Sequence, residues 1–173
     1  MVIDDNPANV HFLYDVLTRN GYKVRPATSG SLALHSIQSI LPDLILLDIK
    51  MPDMDGYEVC QRLKAIERTR DIPILFISAL KDPADKIKGF EVGAVDYITK
   101  PFQVVEVLAR VKTHMELRKT QYRLSRQNTR LQQEIVRRRQ VEKIIRKAKN
   151  AAETATIAKS QFLANMSHEL RTP

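Results

Sequence analysis

Leu44-Ile45-Leu46-Leu47-Asp48-Ile49-Lys50-Met51-Pro52 is the stretch on which the fold turns. Its first four residues form an unbroken apolar run ending on an aspartate. Strands covered on both faces by helices read as continuous apolar runs, whereas half-exposed strands alternate. Ile74-Leu75-Phe76-Ile77 repeats the pattern. Val2-Ile3, Tyr22–Arg25 and Val95–Ile98 supply three further candidate strands. Helical patterns lie between them, with start and stop signals. Asn6-Pro7 offers an N-cap followed by proline at the first helical position, and Gly21 closes that helix after Asn20. Asp82-Pro83 repeats the start signal, Gly93 ends the helix it opens, and Asp55-Gly56 precedes a helix from Tyr57 to about Glu67. Five strands alternating with five helices predict an α/β fold, a doubly wound parallel sheet.

The strand ends collect unusual chemistry. Asp4 and Asp5 follow the first strand, Asp48 ends the third, Ser78 the fourth, and Lys100 follows the fifth. In an open parallel sheet the carboxyl ends of the strands form the ligand crevice. Any one of these aspartates could be a helix cap, but the combination brings three carboxylates and an ammonium to one edge. Such carboxylates repel, and a hard divalent cation such as Mg²⁺, which prefers oxygen ligands, relieves the repulsion. Asp48 could then stay ionised and attack phosphorus, with Mg²⁺ and Lys100 offsetting charge on the transferring phosphoryl oxygens and Ser78 donating a hydrogen bond.

Beyond Pro101 the character changes. Residues 102–172 contain neither glycine nor proline, so a compact domain with turns is excluded there and a long helical rod is expected. Leu117, Leu124, Leu131 and Ile135 share one seam with Gln121 and Asn128. Val141, Ile145, Ala148, Ala152, Ala155, Phe162 and Met166 form a second, interrupted by Lys159. The register slips by three residues near 138–141, a stammer that overwinds a coiled coil locally. Asn128 on the seam favours one register of a dimer or weakens it. The net charge of +8 is uneven: residues 1–109 carry 12 basic and 15 acidic side chains, residues 110–150 carry 14 and 3. The basicity therefore belongs to the rod. Arg137-Arg138-Arg139 invites a nucleic-acid reading. The basic residues run through the seam region instead of forming a separate reading helix, and base-stacking aromatics are lacking, so no specific nucleic acid is expected as partner.

The single cysteine, Cys60, excludes an internal disulfide and a multi-cysteine zinc site, and its neighbours predict a half-buried helical thiol. No run approaches the roughly 18 apolar residues of a membrane span, and no basic leader precedes an apolar run, so no membrane partner and a cytoplasmic location are expected.

Four segments together resemble the response-regulator receiver family over about residues 1–118: Val2–Asn6, Leu47–Pro52, Ile77-Ser78-Ala79 and Asp96–Phe102. The resemblance implies a flavodoxin-like sheet in the order 2-1-3-4-5 and makes Asp48 the phosphoacceptor. Asp4, Asp5 and Asp48 would hold Mg²⁺ with the backbone carbonyl of Lys50. It implies Ser78 as switch hydroxyl, Tyr97 as the coupled aromatic, and Lys100 as phosphate counter-ion beside a cis Lys100–Pro101 bond. The phosphodonor would be a histidine kinase or phosphotransfer protein. Only Met1-Val2-Ile3 precede Asp4, fewer residues than the family usually places there, so the sequence is expected to start late.

Phe162 to Pro173 resembles the phosphoacceptor box of histidine protein kinases. His168 would be phosphorylated on its imidazole, Glu169 would be the adjacent acid/base, and Thr172 would support phosphatase chemistry. His11, His35 and His114 lack such company and read as structural or solvated. Residues 119–158 would be a coiled-coil linker and 159–173 the start of a kinase dimerisation domain. Nothing resembles a kinase ATP domain, and all five glycines precede residue 94. The chain is expected to be the N-terminal fragment of a receiver–histidine kinase, forming a parallel homodimer through its helix. A regulator that binds a partner through its tail is the alternative. If Gln103 to His168 is one helix, it spans roughly 100 Å at about 1.5 Å per residue, so phosphate would reach Asp48 from another protein.

Overall fold

The computed structural model describes residues 1–79 and 83–169, with the side chains of 83–86, 151–152, 155, 158 and 161–169 outside the description. In chain order the elements are β1 (Val2–Ile3), α1 (Pro7–Arg19), β2 (Pro26–Ala27), α2 (Gly30–Ser39), β3 (Ile45–Asp48), α3 (Gly56–Ala65), β4 (Ile74–Ser78), α4 (Pro83–Glu91), β5 (Asp96–Thr99) and α5 (Val104–Glu169). The five strands form one sheet, ordered β2-β1-β3-β4-β5, and every pairing is parallel. The doubly wound α/β arrangement in the order 2-1-3-4-5 is therefore present, as is the long C-terminal helix.

The unbroken apolar runs have the expected cause. Ile45 and Leu47 of β3, with Ile74 and Phe76 of β4, face a layer containing Ala33 and Ile37 of α2 and Val59, Cys60 and Leu63 of α3. Leu46, Leu75 and Ile77 face the opposite layer, with Leu13 and Leu17 of α1 and Val107 and Val111 of α5. Alternate residues thus point to opposite faces, and both faces are covered.

Local signals act where the sequence places them. The Asn6 side chain accepts from the amide of Ala8, Pro7 opens α1, Asn20 caps its end, and Gly21 follows with φ +85°. Asp55 caps α3 through the Glu58 amide at 2.7 Å. Gly93 adopts φ +99° after α4. Asp82, the expected cap of α4, lies outside the described residues.

Two expectations need correction. The second strand is not Tyr22–Arg25 but Pro26–Ala27, because the ladder sets Val2 opposite Pro26 and Ile3 opposite Ala27. Arg25 contributes only its carbonyl, which accepts from the Val2 amide at 3.0 Å. Tyr22 and Val24 are apolar because they pack against the α1/α5 layer, not because they pair. Proline is tolerated in β2 because that strand is an edge. Cys60 is fully buried rather than half-buried, and its thiol donates to the Val92 carbonyl at 3.3 Å. Burial pushes that thiol up to about 11, which leaves little thiolate at neutral pH.

The chain divides into two compact units, the first Met1–Gln121 and the second beginning at Tyr122. The described part of the second is the stretch of helix α5 from Tyr122 onward, and its side chains from Tyr122 to Asn150 are exposed. Among the described residues no helix is long and apolar enough to cross a membrane.

Candidate functional site

The strand order reverses beside β1, and the residues at the carboxyl ends of β1, β3, β4 and β5 meet there. Oxygens of Asp4, Asp5 and Asp48 all lie within 4.8 Å of one another. The Lys100 ammonium donates to Asp4 Oδ2 at 2.9 Å and to Asp48 Oδ1 at 3.0 Å. Asp4 is completely buried and Asp48 is 5% exposed, whereas Asp5 faces solvent. The peptide bond between Lys100 and Pro101 is cis.

Charge governs this cluster. Burial raises the pKa of Asp48, and the neighbouring charges of Asp4 and Asp5 add to the rise, while the hydrogen bond from Lys100 opposes it. Burial works against the Lys100 ammonium, but its hydrogen bonds to Asp4 and Asp48 outweigh that, and its pKa rises. Three carboxylates and one ammonium leave a formal charge of −2. An all-oxygen donor set with that residual charge fits a hard divalent cation. The three carboxylates could therefore hold a metal ion, with Asp5 as the solvent-facing ligand.

A cavity of about 80 Å³ adjoins the cluster, lined by Asp48, Ile49, Lys50, Ser78, Ala79 and Lys100. It is larger than the roughly 30 Å³ that one liquid water occupies. Ser78 is buried at the end of β4 and Lys50 lies in the loop after β3, so both border the space beside Asp48. Tyr97 does not line it. Its ring is buried, packed against Phe76 and Phe90 at centroid distances of 5.6 and 5.3 Å. Helix α5 reaches Glu169, so the backbones of His168 and Glu169 are helical. Their side chains, and all of Thr172, lie outside the described residues.

Several residues that shape the site escaped the sequence reading. Asn9 Nδ2 donates to both oxygens of Asp4, at 3.1 and 3.0 Å, and the Asn6 amide donates to Asp4 Oδ1 at 2.9 Å. The first turn of α1 thereby orients the buried carboxylate; the available signal was Asn9 three residues after the N-cap, on the same helix edge. Gly56 lets the loop after β3 fold back on the strand, since a Cβ there would collide with the Asp48 carbonyl and lie 2.9 Å from the Ile49 Cα. The same loop is tied at Asp53, whose carboxylate accepts from the Ser31 amide and hydroxyl at the start of α2. Gly89 in α4 faces the Tyr97 hydroxyl, which any Cβ would overlap. No local pattern announces contacts of that kind. His114, read as structural or solvated, pairs with Asp96 at 3.0 Å.

Comparison with known proteins gives this geometry a context. A family model described as the response regulator receiver domain matches residues 1–112. The chain is 47% identical over 112 residues to the DNA-binding dual master transcriptional regulator RpaA of Synechocystis sp., covering 65% of this chain and 46% of that protein. It is 35% identical to hybrid signal transduction histidine kinase D of Dictyostelium discoideum, across 100% of this chain and 12% of that protein. Among solved structures, the signal receiver domain of a signal transduction histidine kinase from Syntrophus aciditrophicus superposes with a TM-score of 0.63 at 35% identity, covering 66% of this chain and 87% of that one. The chain thus spans less than half the length of these curated relatives.

Proposed function

The chain belongs to the response regulator receiver family, and on that premise we propose that its first unit accepts a phosphoryl group on Asp48 and its helix carries the resulting state to a histidine phosphoacceptor module. The observation that carries this reading is Lys100 bridging Asp4 and Asp48 while Asp5 stands within 4.8 Å of both.

Asp48 supplies the nucleophile. One of its oxygens forms a bond to phosphorus as the bond from phosphorus to the donor's leaving atom breaks. The donor is a phosphohistidine of a kinase or phosphotransfer protein, or a small acyl phosphate. Lys100 then offsets negative charge on the phosphoryl oxygens, and Ser78 is placed to donate to one of them. Asn9 and the Asn6 amide hold Asp4 in one orientation throughout. Mg²⁺ would be held by Asp4, Asp5, Asp48 and the Lys50 carbonyl, and when bound it supplies positive charge beside the reacting oxygens. Tyr97 couples the Ser78 side of the site to α4. In the second unit His168 is the phosphoacceptor and Glu169 its acid/base partner, within a parent kinase whose ATP-binding module is not among these residues. The helix acts as a homodimer, residues 119–158 forming the linker and 159–173 opening the phosphoacceptor domain.

Intact mass after incubation with acetyl phosphate and Mg²⁺ tests the receiver chemistry. One added phosphoryl group is expected, absent without Mg²⁺ and absent in Asp48→Ala. A folded wild-type chain that gains no mass would sink the reading.

A further inference from the structure

A groove of about 420 Å³ lies where the last turns of α2 and α3 meet. Both helices start beside the carboxyl ends of the strands and run back against the strand direction. Their final residues therefore come together at the amino edge of the sheet, away from the aspartate cluster. Ile37 and Leu63, each 1% exposed, form the floor of the groove. Leu34 extends it, and Leu41 and Ile66, 37% and 52% exposed, form its apolar rim. Small-molecule sites run to roughly 300–1,000 Å³ and are mostly apolar with a few polar groups, and this groove has that size and character.

The polar groups decide what sign of charge it can hold. Among the described residues no acidic side chain lines the groove, whereas Arg62 and Arg68 both do. That is a local excess of positive charge in a region, residues 1–109, that carries 12 basic and 15 acidic side chains. Arg62 is engaged by Glu58 one turn back on α3. Arg68 and Gln38 have no hydrogen-bond or ion-pair partner among the described residues. A helix C-terminus attracts cations by itself, which would be a sufficient reason for an arginine after α3. The carbonyls there are already taken, however. The Thr69 hydroxyl donates to the Leu63 and Ile66 carbonyls at 2.6 and 3.3 Å, and the amides of Thr69 and Arg70 donate to Ile66 at 3.0 and 2.9 Å. Thr69 thus spends its proton within the protein, and the donors left to the groove are a guanidinium and an amide.

A second copy of this chain is a poor occupant. Two-fold pairing sets a patch against itself, which would bring the arginines of one copy to those of the other. We infer that the groove between the C-terminal turns of α2 and α3 binds a small amphipathic carboxylate, its hydrocarbon chain on Leu34, Ile37, Leu41, Leu63 and Ile66 and its carboxylate at Arg68 and Gln38. A guanidinium can hold a carboxylate through two parallel hydrogen bonds, and the Gln38 amide donates a further one. The site is separate from the phosphoacceptor, and the inference stands whether or not Asp48 is labelled.

Methyl-resolved NMR of the full chain, titrated with decanoate, tests it. Saturable shifts are expected at the methyls of Ile37, Leu41, Leu63 and Ile66, with a Kd on the order of 0.1–1 mM for a ligand of that size in a half-open site. Arg68→Gln should weaken binding by about fivefold and Leu41→Asn by about tenfold. Both positions are exposed, and unchanged methyl resonances of Leu46 and Ile77 verify that each variant is folded. Decylammonium, with the same chain and the opposite charge, should bind at least about fivefold more weakly than decanoate. Equal binding of the two probes overturns the inference, because apolar walls alone would then be acting. So does an absence of saturation at about 5 mM decanoate. Decanoate shifts confined to Leu124, Leu131 and Ile135 would place the carboxylate on the basic helix of the second unit instead. Groove methyls that shift with protein concentration alone would make a second copy the occupant.

Discussion

The same residue types live opposite lives in the two units. Leu46, Leu75, Ile77 and Val107 are at most 1% exposed in the first unit, whereas Leu124, Leu131 and Ile145 stand more than half exposed in the second. The first unit buries them because a sheet joins strands distant in sequence and helices cover both of its faces. The helix of the second unit satisfies its own backbone but offers its side chains no opposing layer. A sheet domain is thus complete in one chain, while a lone amphipathic helix is half of a structure. The sharpest way to break this contrast is to remove one leucine from each unit. Leu46→Ala should lower the stability of the first unit by roughly 2–5 kcal/mol, the range for a buried leucine. Leu131→Ala should leave that unit within about 0.5 kcal/mol of wild type. Urea unfolding followed by near-UV circular dichroism reads both. A large loss in Leu131→Ala would mean that the two units are not independent.

Close backbone approach provides the next test, because it too is confined to the sheet unit. Gly56→Ala should cost about 1–3 kcal/mol, the usual range for overpacking, since the obstacles are the Asp48 carbonyl and the Ile49 Cα rather than a movable side chain. Gly21→Ala meets nothing within 4 Å, so only its φ of +85° opposes the substitution, at roughly 1 kcal/mol. The same urea series ranks them. Gly21→Ala costing as much as Gly56→Ala would show that φ, and not the packed loop, makes glycine necessary. Gly56→Ala should also slow labelling of Asp48, because it displaces the loop that borders the acceptor.

How much of this was legible in the sequence follows the same division. Unbroken apolar runs, helix caps and strand-end aspartates are local signals, and they located the sheet, its helices and the Asp4–Asp5–Asp48–Lys100 cluster. The second strand was misplaced because Tyr22 and Val24 are apolar for packing, while the ladder is decided by what lies opposite Val2 and Ile3. Asn9 and Gly89 were missed for a related reason. Each is defined by a contact with a residue far along the chain or across a turn, Asn9 with Asp4 and Gly89 with Tyr97. The helical seam was visible as periodicity, but periodicity alone names no occupant.

Ion pairs give the finest comparison, since both units contain them and burial alone should set their worth. Asp96 accepts from Arg110, from the Tyr97 amide at 2.8 Å and from His114 at 3.0 Å, with 22% of its side chain exposed. Burial on its own would raise its pKa, but these hydrogen bonds outweigh burial and lower it. A carboxylate whose folded pKa is depressed contributes stability above the unfolded value of about 3.9, and the contribution disappears as pH falls through the lower folded value. Asp96→Asn should therefore destabilise the first unit by about 1–2 kcal/mol at pH 7, the scale for hydrogen bonds to a charged group. The gap to wild type should close below pH of about 4. Lys149 and Glu153 in the second unit are 3.8 Å apart with 73% and 61% of their side chains exposed. Glu153→Gln should change helix content and thermal midpoint by no more than the ~0.3–0.5 kcal/mol of an exposed i,i+4 pair, and the effect should fade in 0.5 M salt. Thermal melts of both variants at pH 7 and pH 3 make the comparison. If the two substitutions proved equally mild, the half-buried cluster around Asp96 would be no more than a solvated surface network, and the contrast between the units would rest on apolar burial alone.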